Sequence, residues 1–280
     1  MDEERQPEHG VTCPPPSHGM APVDIAIAGA SRSGSTILAL MLGRHPDVAV
    51  MGETNHIAGE WDRGSAAVCS CGAPMRACPY WVDLATSTDL TTLSTRSGGE
   101  RHRQRVRTLT GAKVTVDTSK QARHLEASND ASFVVHLVRD PRGSALSSHR
   151  GWRGGRADPG GHPGVLRAMR VGAWWSRENR RAARLRRRRG GMLIRYEDFV
   201  VDHEAVCRTV LARVGLVPRP SRWREHHLAA GNPVRLRGEP TMIADLAWQQ
   251  RLPRRLQLVC WIAALPLSAV YRYPPMSVRR

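Results

Sequence analysis

Val23-Asp-Ile-Ala-Ile-Ala-Gly-Ala-Ser-Arg-Ser-Gly-Ser-Thr36 is the stretch from which the rest of the chain can be read. Its β-branched residues alternate with small ones up to Gly29, small and polar residues follow, and Ile37 to Leu42 is apolar. That pattern predicts a strand, a tight loop and the start of a helix. Such a loop is an anion cradle: amides of residues 31–36 and the positive helix end can converge on a phosphate, and small residues let the backbone approach it. The competing reading is a strand-to-helix turn that binds nothing.

The spacing Gly29-x4-Gly34-Ser35-Thr36 is that of a nucleotide P-loop, with Ser35 where the lysine belongs. A phosphotransferase of that kind uses the lysine on the β- and γ-phosphates. Its replacement argues against γ-phosphoryl transfer and leaves phosphate binding intact.

The 280 residues suffice for one large α/β domain. Met1 to Pro22 is proline-rich, polar and aperiodic, so a disordered leader over 1–22 and a single domain over 23–280 are expected. The leader lacks the charged and apolar regions of a secretory signal. Leu256 to Val270 is too short to span a bilayer and is expected to be a buried terminal helix. A cytoplasmic location with no membrane partner follows as the default.

The formal charge is +17, and Lys113 and Lys120 are the only lysines, so the basic character is almost all arginine. A basic nucleic-acid-binding protein is therefore one rival reading. The runs Arg101 to Arg107 and Arg177 to Arg189 lie in helix-like segments without interleaved aromatics, which suits solvated helix faces, and no nucleic-acid partner is expected. A positive surface would equally attract a polyanionic cofactor or an acidic acceptor. Of six cysteines, Cys69, Cys71 and Cys78 form C-x-C-x6-C while Cys13, Cys207 and Cys260 are scattered. A fourth metal ligand would have to come from far away in the chain, so packing or a local thiol pair is preferred and no metal is expected.

Further strands are read at Val48–Met51, Val114–Val116, Phe133–Val138 and Met192–Arg195, followed by Gly52-Glu53-Thr54, Asp117-Thr118-Ser119-Lys120, Arg139-Asp140-Pro141-Arg142 and Tyr196-Glu197-Asp198. Asp140 is a good N-cap and Pro141 suits a first helical turn, so a helix to about Arg150 is expected, with Ser144, Ser147 and Ser148 within one turn of each other. A helix near Glu100 to Leu109 and a long basic helix ending at Gly190-Gly191 are also expected. Residues 61–80 read as loop, 151–164 as a mobile loop, and the end of the chain as largely helical around a polar loop at Gly231–Gly238. Strands separated by helices, with polar clusters at the strand ends, predict a doubly wound parallel sheet. Ligands bind such sheets beyond the carboxyl ends, where Arg32, Glu53, Lys120, Arg139 and Tyr196 would share one edge.

With these residues in view, the chain resembles the sulfotransferases that use 3′-phosphoadenosine 5′-phosphosulfate (PAPS). The resemblance runs from Ile25 to the C-terminus. Ala30-Ser-Arg-Ser-Gly-Ser-Thr36 is similar to that family's 5′-phosphosulfate loop, and Val138-Arg-Asp-Pro-Arg-Gly-Ser-Ala-Leu-Ser147 to its 3′-phosphate motif. The cysteine cluster with Pro79-Tyr80-Trp81, and Gly231-Asn-Pro-Val-Arg235, resemble segments of bacterial members. The resemblance implies a P-loop-type three-layer α/β sandwich around a mostly parallel sheet, PAPS as donor and a metal-independent transfer. It implies that Ser33, Gly34, Ser35 and Thr36 hold the 5′-phosphosulfate with Arg32 beside them, and that Arg139 and Ser147 grip the 3′-phosphate. Tyr196 would contact the cofactor, and Arg235 or Arg237 would close over it.

The piece from Arg32 through His45-Pro-Asp-Val to Gly52-Glu53-Thr54 is similar to tyrosylprotein sulfotransferases, which implies Glu53 as the base, with Lys120 and Arg32 stabilising the departing oxygen. Each assignment has a plainer alternative: Glu53 as a helix-end charge, Lys120 as a solvated lysine, Arg139 paired with Asp140 or Glu197. His136 reads as a core histidine, His45 as a turn residue and His56 as a fallback base, while Trp174-Trp175 reads as packing. The acceptor is a small molecule or peptide bearing a hydroxyl, its pocket expected from segments 54–110 and 151–175. A P-loop small-molecule kinase is the rival within enzymes.

Overall fold

The computed structural model describes residues 23–128, 131–152, 164–217, 219 and 222–275. The leader expected over 1–22 and most of the loop expected over 151–164 lie outside the described residues. Five strands, β1 (Ile25–Ala28), β2 (Val48–Gly52), β3 (Val114–Lys120), β4 (Phe133–Val138) and β5 (Gly191–Arg195), form one sheet in the order β2-β3-β1-β4-β5. Every pairing is parallel. The helices are α1 (Ser35–Leu42), α2 (Ile57–Asp62), α3 (Pro79–Ser87), α4 (Arg96–Thr110), α5 (Ala122–Ser128), α6 (Pro141–Trp152), α7 (Val165–Arg189), α8 (Tyr196–Val201), α9 (His203–Arg213), α10 (Ala247–Arg251), α11 (Arg254–Ala263) and α12 (Leu267–Val270).

The alternation in β1 sorts its residues by size onto the two faces. Ile25 and Ile27 join Leu38 and Leu42 of α1, Val114, Val116, Val135 and Leu137 of neighbouring strands, and Phe199 and Val210 from α8 and α9. Ala26 and Ala28 face Ala122, Leu125, Ala182 and Leu185 of α5 and α7. The period of two thus buries both faces, and helices cover both, giving the three-layer α/β sandwich that the strand order implied.

The chain leaves β1 for strands on one side and later crosses to β4 on the other, so the switch point lies at the carboxyl end of β1, where the Ser31–Gly34 loop sits. The β1/β3 and β2/β3 registers both shift near those carboxyl ends, between Ala26 and Ala28 and between Val50 and Gly52. Such irregularities re-aim side chains at a sheet rim.

Asp140 caps α6 as its sequence suggested: its Oδ1 accepts from the Arg142 amide at 2.8 Å, with Pro141 in the first turn. The expected loop over 61–80 contains the end of α2, short 3₁₀ turns and the start of α3.

Two expectations for the end of the chain are corrected. From Val214 to Leu246 the chain has no α-helix among the described residues, only a 3₁₀ turn at Pro233–Leu236. Pro233, Pro240, Gly231 and Gly238 punctuate it, and its backbone pairs with other segments, as where the Ser70 amide donates to Leu228 O at 3.0 Å. The single buried terminal helix is instead α11 and α12, broken before Pro266, whose missing N–H cannot continue a helix. Leu256, Cys260 and Ala264 face inward while Leu258, Ile262 and Val270 are exposed. No described helix is long and apolar enough to cross a membrane.

Candidate active site

Gly34, with φ 97°, stands at the N-cap of α1. A Cβ there would lie 2.6 Å from Cδ2 of Tyr196, so both the left-handed backbone and the close approach of that ring require glycine. The other face of the site is joined to the same ring: the Arg139 guanidinium lies over Tyr196, 4.5 Å from its centroid. Arg139 Nη1 also donates to the Arg32 carbonyl oxygen at 3.2 Å. The loop after β1 and the turn after β4 are thus held together, one on each side of Tyr196.

Both open on one cavity of about 1080 Å³, of nucleotide-binding size. Arg32, Gly34, Ser35, Thr36, Glu53, Lys120, Arg139, Ser147 and Tyr196, all singled out from sequence, line it. Five cations, from Arg32, Lys120, Arg139, Arg167 and Arg170, face two carboxylates, those of Glu53 and Asp245, and hydroxyls of Ser31, Ser35, Thr36, Ser147 and Ser148 supply further donors. This surplus of positive charge and hydroxyl donors fits an adenosine bisphosphate anchored by both phosphates.

Arg32 and Lys120, with φ 69° and 64°, hold left-handed backbones that side-chain-bearing residues rarely adopt. Lys120 Nζ donates to Glu53 Oε1, and both side chains are largely buried. The neighbouring residues fix the pair's supports. Thr54 Oγ1 donates to Asp117 Oδ2 at 2.9 Å and lies 2.9 Å from Ser119 Oγ, and the Ser119 amide donates to Asp117 Oδ1 at 2.7 Å. Burial raises the Asp117 pKa, and the Ser119 and Thr54 hydrogen bonds pull it back down. His56, the fallback base, is exposed with Nε2 3.7 Å from Glu53 Oε2, on the far side of the carboxylate from the lysine's oxygen.

Arg139 has neither of the structural partners that sequence offered. Asp140 pairs with Arg142, Nη2 to Oδ2 at 2.7 Å, and Glu197 accepts from the Asp140 amide and the Tyr273 hydroxyl. The carboxylate on Arg139 is Asp245, Nη2 to Oδ2 at 3.0 Å, and the Asp245 carbonyl oxygen accepts from the same nitrogen.

Three cofactor candidates stand outside the cavity lining: Ser33, Arg235 and Arg237, the last of them exposed. Ser33 is buried with its hydroxyl unpartnered among the described residues. Arg235 is turned away, its Nη2 donating to the carbonyl oxygens of Val68 at 3.1 Å and Ala229 at 2.8 Å. Its neighbours Gly231 and Asn232 line the cavity instead, the Asn232 amide donating to Thr36 Oγ1 at 3.4 Å. The tryptophan pair divides: Trp175 is fully buried and donates to Arg139 O at 2.9 Å, whereas Trp174 lines the cavity.

Sequence reasoning expected segment 151–175 at the pocket but singled out neither Arg167 nor Arg170 in it, read Trp174 as packing, and missed Asp245. The first three were findable, because 167, 170, 171 and 174 share one face of α7 at helical spacing. The dense arginine run further along that helix hid them. His136, expected as a satisfied core residue, is buried with Nε2 2.9 Å from Asn179 Oδ1, but its Nδ1 has no partner among the described residues.

The sulfotransferase domain of the Synechococcus PCC 7002 olefin synthase is 20% identical, with 98% of this chain and all of that one covered at a TM-score of 0.53, a likeness of fold. A sulfotransferase from Alicyclobacillus acidocaldarius is 14% identical over 92% of this chain and 98% of that one, with a TM-score of 0.49. No curated protein matches the sequence. The family described as "Sulfotransferase family" matches residues 22–219, well over half of the chain, and to that family the chain belongs.

Proposed function

We propose that the protein moves the sulfuryl group of PAPS to a hydroxyl or phenol oxygen of a small molecule or peptide, with Glu53 as the base. The observation that carries this reading is the meeting of two anion-binding turns on one cation-rich cavity, bridged by Tyr196 between Gly34 and Arg139. PAPS would supply an activated sulfuryl group on a nucleotide leaving group. Ser35 and Thr36, with the loop amides, bind its 5′ end, while Arg139 and Ser147 bind the 3′-phosphate that sets it apart from ATP.

Glu53 takes the proton from the acceptor oxygen. Lys120 and Arg32 place positive charge where the leaving oxygen becomes negative. Before substrate arrives the Lys120 ammonium pairs with Glu53 Oε1, and both side chains line the cavity. The sulfuryl group carries less charge than a phosphoryl group, so these cations suffice for the transfer and no metal is needed in the cavity.

The test is transfer from labelled PAPS to a panel of phenols, alcohols and tyrosyl peptides. Transfer without added magnesium, lowered by about 10²–10⁴-fold in Glu53→Gln, is the expected result. Magnesium-dependent ATP turnover with no sulfuryl transfer would favour the kinase reading and contradict this one.

A further inference from the structure

We propose that Cys69, Cys71, Cys78 and His227 form a structural zinc site that fastens the Cys69–Cys78 segment to the late loop entering the cavity. The four ligand atoms lie within 4.8 Å of one another. Cys71 Sγ is 3.7 Å from Cys78 Sγ, and His227 Nδ1 is 3.4 Å from Cys78 Sγ and 3.7 Å from Cys69 Sγ. A tetrahedral zinc with its usual bond lengths separates two sulfurs by about 3.8 Å and a sulfur from a nitrogen by about 3.5 Å. The observed separations are those of ligands around an ion, and a sulfur–sulfur distance of 3.7 Å is far from a disulfide's roughly 2.0 Å. Three thiolates and an imidazole in this geometry favour zinc over the oxygen-seeking divalent ions.

The protein around the cluster is built as a ligand cage. The three cysteines come from a tight C-x-C turn, where Cys69 N donates to Ala73 O at 2.9 Å, and from the residue that precedes α3. His227 is fixed by stacking on Tyr80, with centroids 4.8 Å apart and planes 12° from parallel. On binding, the three thiols release their protons and the complex carries one net negative charge. Arg235, whose guanidinium ties Val68 O, next to Cys69 in the chain, to Ala229 O, two residues after His227, places a positive charge at this junction.

The cluster has a mechanical consequence. Ser70 pins the same junction: its amide donates to Leu228 O at 3.0 Å, its hydroxyl accepts from the Leu228 amide at 2.8 Å and donates to His226 O. Four residues beyond His227, Gly231 packs its Cα toward Glu53 and Thr36; a Cβ there would meet Glu53 Oε1 and Thr36 Oγ1, each at 3.4 Å. None of the four ligands lines the cavity, so the ion is a clamp for that loop and takes no part in the transfer.

The test is metal analysis of the full chain purified under reducing conditions without chelator, followed by cobalt titration of the chelator-stripped protein. The expected results are stoichiometric zinc, and the intense visible and sulfur-to-metal charge-transfer bands of tetrahedral thiolate-bound cobalt, which zinc then displaces. Cys71→Ser and His227→Ala should each lose bound zinc, and stripping should speed alkylation of the three thiols. Should a variant fail to fold, the wild-type stoichiometry and cobalt spectrum decide alone. Absence of stoichiometric metal with no cobalt spectrum, iron in place of zinc, zinc that persists in Cys71→Ser/His227→Ala, or a native Cys71–Cys78 disulfide would each overturn the proposal. These readouts need neither PAPS nor acceptor, so they stand apart from the proposed transfer.

Discussion

Glu53 and Lys120 pair across the carboxyl ends of β2 and β3, their side chains 13% and 12% exposed, at the floor of the cavity. The lysine takes Oε1, which leaves Oε2, 3.7 Å from His56 Nε2, as the oxygen for an incoming proton. Glu53→Gln preserves the size and the contact to Lys120 and removes the basicity. Turnover should fall by about 10²–10⁴-fold, the usual worth of a general base, while affinity for 3′,5′-diphosphoadenosine stays within a few-fold of wild type. Single-turnover kinetics beside calorimetric titration measures both.

Arg139 and Asp245 give opposite expectations for the same ligand. Arg139→Ala removes charge-assisted hydrogen bonds of about 1.5–3 kcal/mol, so diphosphoadenosine should bind roughly 10–100-fold more weakly. Asp245 is 41% exposed and competes for that guanidinium. Asp245→Asn should tighten binding by a few-fold, the scale of an exposed ion pair at about 0.2–1 kcal/mol. Titration of both variants at one ionic strength reads the two signs together.

Gly34→Ala forces a Cβ onto the Tyr196 ring at a backbone angle that alanine resists. A loss of about 1–3 kcal/mol in urea unfolding, together with weakened nucleotide binding, is expected. A variant as stable as wild type would mean that the loop and Tyr196 are not packed as described.

Acid should destabilise the fold through histidines. Burial lowers the pKa of His102 to about 3 and those of His136 and His226 to about 4, against an ordinary value of 6.5. Below pH 6.5 the unfolded chain binds protons that the fold refuses, so stability present above that pH is lost as pH falls toward 4. Burial of Asp117 and Glu197 raises their pKa values and works in the opposite sense. His102 has neither ring nitrogen partnered among the described residues, so His102→Leu isolates its share. The gap in unfolding free energy between His102→Leu and wild type should widen by up to about 1.4 kcal/mol per pH unit below 6.5, measured by urea unfolding from pH 7 to 4.5.

Much of the site was legible because strand, loop and helix signals are local. The period of two in Ile25–Ala28 and the break at Gly29 placed the first turn, and Asp140-Pro141 placed the second. What sequence could not supply was long-range. Asp245 reaches Arg139 from 106 residues away and His227 reaches Cys78 from 149 away, and neither has a local motif. Arg235 failed as a cavity residue for a related reason: its 3₁₀ turn points it at Val68 and Ala229, and side-chain direction in an irregular segment has no periodicity to read. The terminal apolar run is only partly buried because the helix breaks before Pro266 and turns Leu258, Ile262 and Val270 outward.

The most direct test of the central claim, that two turns joined through Tyr196 hold the two phosphates of one nucleotide, is calorimetric titration with 3′,5′-diphosphoadenosine and, separately, with 5′-AMP. The diphosphate should bind at least about tenfold more tightly, the scale of a charge-assisted contact, and Arg139→Ala should erase that advantage while leaving 5′-AMP binding unchanged. Equal affinity for the two nucleotides in the wild-type protein would contradict the account.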